Sequence, residues 1–430
     1  MIIESSSIGR AAGSLRSDGK TQRFLLWCCI AVLAIAPLLL GSARPTAWLL
    51  WAMVIAAIGC LYALSVLIGA QQVAVPLAQF RVYFLLSSVV CAMLVIQLLP
   101  IGQVVGPLKF STASGQQIEG QFLSLAPSAT LLMLIRMVSF GLFFFLVAQI
   151  TVRRKSAMLL QRTLLLIVTG YGLVGLAALS QGDTLLGMSK WAYLGSAVGP
   201  FVNRNSFATF LSFALVLGTA QLLAELQPFI GLKTRVLLRA VLRSWIPVTL
   251  AAVVIILAAL LATQSRMGLF AGTVGVVCVL VATAIRWRAN LGILSLIVVA
   301  GLIGGGVLFF AYGSGLLERV GSLETSADDR LAFYREVWAM ITARPITGYG
   351  GGSFELAFPL FHRPPVTADM VWDRAHSSYH ALWSELGLIV GSLPIVFYGL
   401  IAISAARLLF KSAGSALVGI SALGCLAVAA

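Results

Sequence analysis

The sequence predicts an all-α protein: a polytopic transmembrane helical bundle of about 11–12 spans with one long loop outside the membrane. Three observations carry that prediction. The chain of 430 residues is 60% apolar and only 10% charged, with a mean hydropathy of +1.01. A soluble domain is nearer 45–50% apolar and about 25% charged. Apolar runs long enough to cross the hydrocarbon core recur along almost the whole sequence. A single polar stretch, residues 313–383, interrupts them. An ordinary soluble enzyme, a disordered chain and a nucleic-acid-binding domain are excluded by the same numbers. The net charge of +15 therefore reads as basic loops on one side of a membrane.

Runs on the scale of a membrane-spanning helix lie near 24–40, 46–70, 82–99, 128–150, 157–179, 206–225, 246–263, 268–285, 291–312, 384–405 and 413–430. The chain thus divides into a tail (1–23), nine spans (24–312), the long loop (313–383) and C-terminal spans (384–430). An uncleaved first span fits the later alternation of loops better than a cleaved leader. An odd number of spans would put the C-terminus outside, which leaves room for a truncated or missed half-span. With the N-terminus inside, the inner loops collect Arg153, Arg154 and Lys155, then Lys233, Arg235, Arg239 and Arg243, then Arg286 and Arg288, and finally Arg407 and Lys411. The short outer loops hold scattered single cations such as Arg44, Lys109 and Lys190. Cys28, Cys29, Cys60, Cys91, Cys278 and Cys425 all sit in apolar runs without metal-ligand spacing, so they read as small packing residues.

The long loop is far beyond a typical connection and should have structure of its own. Ser326 and Asp329 read as a capping box opening a helix. Leu331, Tyr334, Trp338 and Ile341, with Phe333, Val337 and Met340, then repeat at helical spacing up to Arg344-Pro345. Such an amphipathic helix fits a lid on the membrane surface. Gly348 to Ser353 includes four glycines, which reads either as a flexible turn or as backbone N–H groups aimed at phosphate. His376 and His380 share a helical face, but Ser377 stands where a metalloprotease has Glu, so a general base is favoured over a metal ligand. Arg204, Arg266 and Arg330 lie at outer helix ends, where guanidinium groups can hold phosphate or merely snorkel. Arg136 lies inside the fourth span, where an ionisable residue reads as functional.

These pieces resemble the O-antigen ligase/O-antigen polymerase superfamily of bacterial inner-membrane glycosyltransferases. The stretches concerned are Arg344 to Phe354, Ala375 to Tyr379 with Glu385 to Ile389, Thr263 to Arg266, and Gly199 to Asn205. His376, Ser377 and Gly387 match the family's spacing of a His, an Asn or Ser, nine residues and a Gly; Val390 departs from the small residue that often follows. The resemblance implies a periplasmic active face and transfer of an undecaprenyl-pyrophosphate-linked glycan to an acceptor hydroxyl, with no metal, nucleotide sugar or other cofactor. For that chemistry His376 is the expected base, with Arg266 and Arg204 on the pyrophosphate, and Arg330, Asn205, Arg136 and His380 are further candidate substrate-binding residues. The acceptor would be a growing glycan (an O-antigen or exopolysaccharide polymerase) or lipid A-core (a ligase). Expected partners are membrane lipid and polysaccharide export or chain-length proteins, with no nucleic acid. A secondary transporter is the alternative from another class. It would need several midplane charges and paired repeats.

Overall fold

A computed structural model describes residues 19–112, 114–185, 187–229, 239, 241–287, 320–364, 366, 372, 374, 375, 377–411 and 413–429. Its long helices are α1 (Gly19–Ile35), α2 (Pro45–Leu67), α3 (Arg81–Gln97), α4 (Pro127–Ile150), α5 (Arg154–Ser180), α6 (Arg204–Leu226), α7 (Ile246–Ala262), α8 (Arg266–Arg286), α9 (Val320–Ala343), α10 (Ser378–Leu386), α11 (Leu388–Leu408) and α12 (Ala413–Ala429). Among the described residues, eight helices are long and apolar enough to cross a membrane, and α7 and part of α12 form shorter apolar helices. Every expected span except 291–312, which lies outside the described residues, overlaps one of these helices, and the one expected at 384–405 is broken at Gly387, between α10 and α11. The protein is a multi-pass membrane bundle.

Side-chain contacts show which helix ends lie together. At one end, Gln22 Nε2 donates to Ile150 O at 3.0 Å, and Gln149 Oε1 accepts from the N–H groups of Ala74 and Val75. Tyr83 and Ser404 meet there too, at 3.3 Å. At the opposite end, the Tyr171 hydroxyl donates to Ala34 O, Gln97 Nε2 donates to Thr347 O, and Ala197 N–H donates to Ala262 O at 2.8 Å. The described residues of the turns 36–44, 98–126, 181–203, 263–265 and 344–387 therefore share one end of the bundle. Arg23, Arg153, Arg154, Arg243, Arg286, Arg407 and Lys411 gather at the other.

Small residues let α6 and α8 run side by side in the same direction. A Cβ on Gly272 would lie 2.9 Å from Ser212 Oγ, and one on Gly275 would lie 2.6 Å from Val216 Cγ2. Close backbone approach of this kind is how helices associate where lipid offers no hydrophobic drive. Near the basic end, Arg162 pairs with Glu225 at 3.0 Å and lies 4.8 Å from the Trp245 ring. Thr249 also donates to Glu225. Large apolar side chains such as Met53, Leu67, Phe84, Phe140 and Phe270 point outward, as a lipid-facing surface requires.

Local expectations change in places. Helix α1 already includes Gly19, ahead of the apolar run that starts near 24. Ser326 does not open the loop helix: α9 is already helical from Val320, so the Ser326–Asp329 pair lies in its interior. The outer connections are also more ordered than bare loops, with the hairpins β1–β2 (Leu108–Ser111 with Gln117–Gly120) and β3–β4 (Thr184–Leu185 with Met188–Ser189).

Candidate functional site

Two helix starts meet at the first part of the site. Asn203 caps α6 by accepting from Asn205 N–H at 2.7 Å. Ser265 caps α8 by accepting from Gly268 N–H at 3.2 Å. The two caps are tied together, since the Ser265 hydroxyl donates to Asn205 Oδ1 at 2.8 Å. Arg204 and Arg266 are the first residues of these adjacent helices. A cation at a helix N-terminus opposes the macrodipole by roughly 0.3–1 kcal/mol. Two such arrangements side by side form a concentrated positive field that suits an anion. The two ion pairs recorded among the described residues, Arg162–Glu225 and Lys190–Asp183, involve neither arginine. Arg204 instead donates to Ser196 Oγ at 3.4 Å and lies 5.6 Å from the Tyr193 ring. Its buried Nε has no hydrogen-bond partner.

The loop that leads into Arg204 is held by Asp183. Its carboxylate pairs with Lys190 and accepts from Gly195 N–H at 2.6 Å, while Lys190 also donates to Ser196 O at 2.6 Å. The Lys190 and Gly195 hydrogen bonds hold the Asp183 carboxyl below the usual carboxylate range. A depressed folded-state pKa stabilises above the unfolded pKa, and that contribution is lost as pH falls through the folded value. Asp183→Asn should therefore loosen Ser196 and Arg204 and raise the KM for an anionic substrate about 3–10-fold. That ratio should stay constant between about pH 6 and 8, because Asp183 remains ionised throughout. Parallel KM measurements on both proteins check this.

The second part of the site is a small core at the same end. Helix α9 buries Phe333, Val337, Met340 and Ile341 against Phe110, Tyr349, Phe354 and Phe358. Leu331 and Trp338 stay exposed, while the rest of the apolar face of α9 is covered by protein. Arg344 follows α9 and lies 4.3 Å from the Phe110 ring and 5.6 Å from that of Tyr349. Burial pushes its pKa down.

The glycine run is a turn built for close approach. Gly348, Gly350 and Gly352 all have positive φ, and a Cβ on Gly348 would lie 2.7 Å from Leu386 N. Its N–H groups serve protein acceptors: Gly348 donates to Arg344 O at 3.1 Å and Gly350 to Glu385 O at 3.0 Å, and Gly351 to Gln97 Oε1 at 3.1 Å, while the Gly352 and Phe354 N–H groups lie beside the Glu385 carboxylate. The possible phosphate cradle is therefore corrected to an internal turn, because a donor already bonded inside the protein is not free for a ligand. Burial pushes the Glu385 carboxyl up to about 7, against the pull of both N–H groups and of Arg136.

Arg136 lies in the third turn of α4, 4.6 Å from the Trp48 ring, with its buried Nε unpartnered. His380 stacks on Tyr334 with centroids 5.0 Å apart, its Nδ1 lies 2.9 Å from Ser377 Oγ, and burial lowers its pKa. His376 lies outside the described residues, as does the side chain of Arg330, whose backbone is part of α9.

The structure thus brings Arg204, Asn205 and Arg266 into one cluster. Arg136 joins a second group through Glu385 on α10, the helix that also carries His380. Sequence reasoning gave no role to Glu385, Gln97 or Arg344. The available signal was polarity at a span boundary: Gln97 closes α3 and Glu385 precedes α11 by three residues.

Comparison with known families finds one region of likeness. Residues 251–395 match a family model described as O-antigen ligase. The match runs from within α7, through Arg266 and α9, to the first turns of α11. No curated protein and no solved structure matches the chain.

Proposed function

We propose, from the match of residues 251–395 to the O-antigen ligase family model, that this membrane protein is an enzyme that polymerises glycan carried on undecaprenyl pyrophosphate. One observation supports the reading above the others: Arg204 and Arg266 open two tethered helices with no carboxylate partner among the described residues. A pyrophosphate would supply the missing negative charge, and the planar guanidinium fork suits bidentate phosphate contact. The basic ends of α5, α8 and α11 would face the cytoplasm, by the preference of Lys and Arg for that side. The arginine cluster would then face the periplasm of the inner membrane, with α1 entering from the cytoplasm.

The acceptor hydroxyl oxygen attacks the anomeric carbon of the donor while the carbon–oxygen bond to pyrophosphate breaks. Undecaprenyl pyrophosphate leaves with the bonding electrons, and the anomeric configuration inverts. Arg266 and Arg204 stabilise the charge that develops on the leaving group. His376 takes the hydroxyl proton, a role suited to a group that titrates near neutral pH. Asn205 and His380 line the substrates, Arg330 positions one of them, and Arg136 meets the donor at membrane depth. Chain-length and export proteins would receive the product.

Lipid-linked glycans extracted from a strain lacking the gene test this reading. Accumulated single repeats on undecaprenyl pyrophosphate are expected. Long chains that never reach lipid A-core would assign ligation instead. An unchanged profile would overturn both.

A further inference from the structure

Glu385 is a buried carboxyl that the transfer chemistry above leaves unused. It is only 8% exposed, and a carboxyl in such a place needs compensating partners. Its partners come from three parts of the chain. Its side chain lies beside the Gly352 and Phe354 N–H groups and feels the charge of Arg136 on α4. Its backbone oxygen accepts from Gly350 N–H at 3.0 Å and from Gln97 Nε2, at the end of α3, at 2.8 Å. Gln97 closes the knot by accepting from Gly351 N–H and donating to Thr347 O at 2.7 Å.

This knot bears on the reaction through α10. The helix has nine residues, too few to hold its own shape or direction in isolation. Its first turn carries His380, with Ser377 as its cap. Tyr334 steadies the head of the helix by stacking on His380, and Glu385 holds its tail. We propose that Glu385 is a positioning residue for glycan transfer, fastening α10 to the 348–354 turn so that the polar head of the helix meets the reacting sugar in register. The proposal rests on the transferase reading above. It separates two jobs: the heads of α6 and α8, which carry the arginines for the donor, are fixed by contacts of their own, namely Ser265–Asn205 and Ala197–Ala262, whereas α10 sets the geometry of the chemical step.

The shape and acceptor oxygens of the carboxyl, rather than its full negative charge, carry the positioning. Its carbonyl oxygen can accept from an N–H group whether or not the carboxyl is protonated. An amide of the same shape retains that acceptor.

The test compares Glu385→Ala and Glu385→Gln with the unaltered enzyme in proteoliposomes, with lipid-linked donor titrated and recovery of folded protein measured. Misplacement of reacting groups by about 1 Å costs on the order of 100-fold in rate. Glu385→Ala should therefore lower kcat at least ~10-fold, with the KM for donor held within ~3-fold. Glu385→Gln should recover at least about half of the lost kcat. Should Glu385→Ala fail to fold, Glu385→Asp, one methylene shorter, is expected to show the same loss of kcat at unchanged KM. A rise in KM at full kcat overturns the proposal, as does a Glu385→Gln variant no better than Glu385→Ala. Failure of the transferase reading looks different: the unaltered, folded enzyme would show no turnover of lipid-linked donor.

Discussion

Arg266→Ala is expected to lower glycan transfer by about 10²–10³-fold, the usual cost of removing one preorganised donor from a developing negative charge. The protein should fold as well as before. Arg266 is the first residue of α8, where a cation opposes the helix dipole, so its removal should be neutral or stabilising by up to about 1 kcal/mol. The Ser265 cap and its bond to Asn205 do not depend on the guanidinium. Loss of activity at unchanged stability separates a ligand-holding arginine from a structural one. Arg266→Lys should restore part of the rate, because it returns the charge without the bidentate fork. Transfer assays on purified protein, alongside thermal unfolding in the same detergent, check both halves.

Gly387→Ala is expected to have the opposite signature, with activity lost because the fold is lost. Gly387 has φ 79° and ψ 166°, a region open to glycine alone. A Cβ there would overlap the Ile346 carbonyl oxygen and lie 2.5 Å from its carbon. That backbone is fixed by its neighbours, since Leu388 N–H donates to Pro345 O at 2.7 Å. Strain of about 1–3 kcal/mol adds to the cost of moving the turn that carries Glu385. Gly387→Ala should therefore lower the unfolding midpoint by several degrees and expose the 344–387 region to protease. Gly399→Ala is the control, since nothing lies within 4 Å of a Cβ there, and it should leave both readouts unchanged.

The membrane helices were legible in the sequence because their main determinant, a continuous apolar run of sufficient length, is local. Arg266 was legible for the same reason, since four polar residues between two apolar runs require a tight turn with its last residue at a helix start. Other features depend on contacts between distant segments. Nothing near Glu385 in the chain names Gly352, Gln97 or Arg136 as its neighbours. The glycine run was ambiguous for a related cause: its composition demands positive φ, but only the fold decides which acceptors its N–H groups meet. Ser326 misled because a Ser followed three residues later by an acid is equally compatible with a helix interior.

The family model spans α8 and α10 together, while Arg204, which shares the arginine cluster, lies outside the matched residues. Its inclusion depends on the Asn205–Ser265 contact.

The central claim is that the paired arginines at the heads of α6 and α8 hold the pyrophosphate of a lipid-linked glycan. Equilibrium binding of undecaprenyl pyrophosphate to the purified protein in nanodiscs tests it most directly, with the Arg204→Ala/Arg266→Ala double variant beside it. The expected result is saturable binding by the unaltered protein and loss of at least ~100-fold in affinity in the folded double variant. Equal binding by the two proteins would contradict the claim.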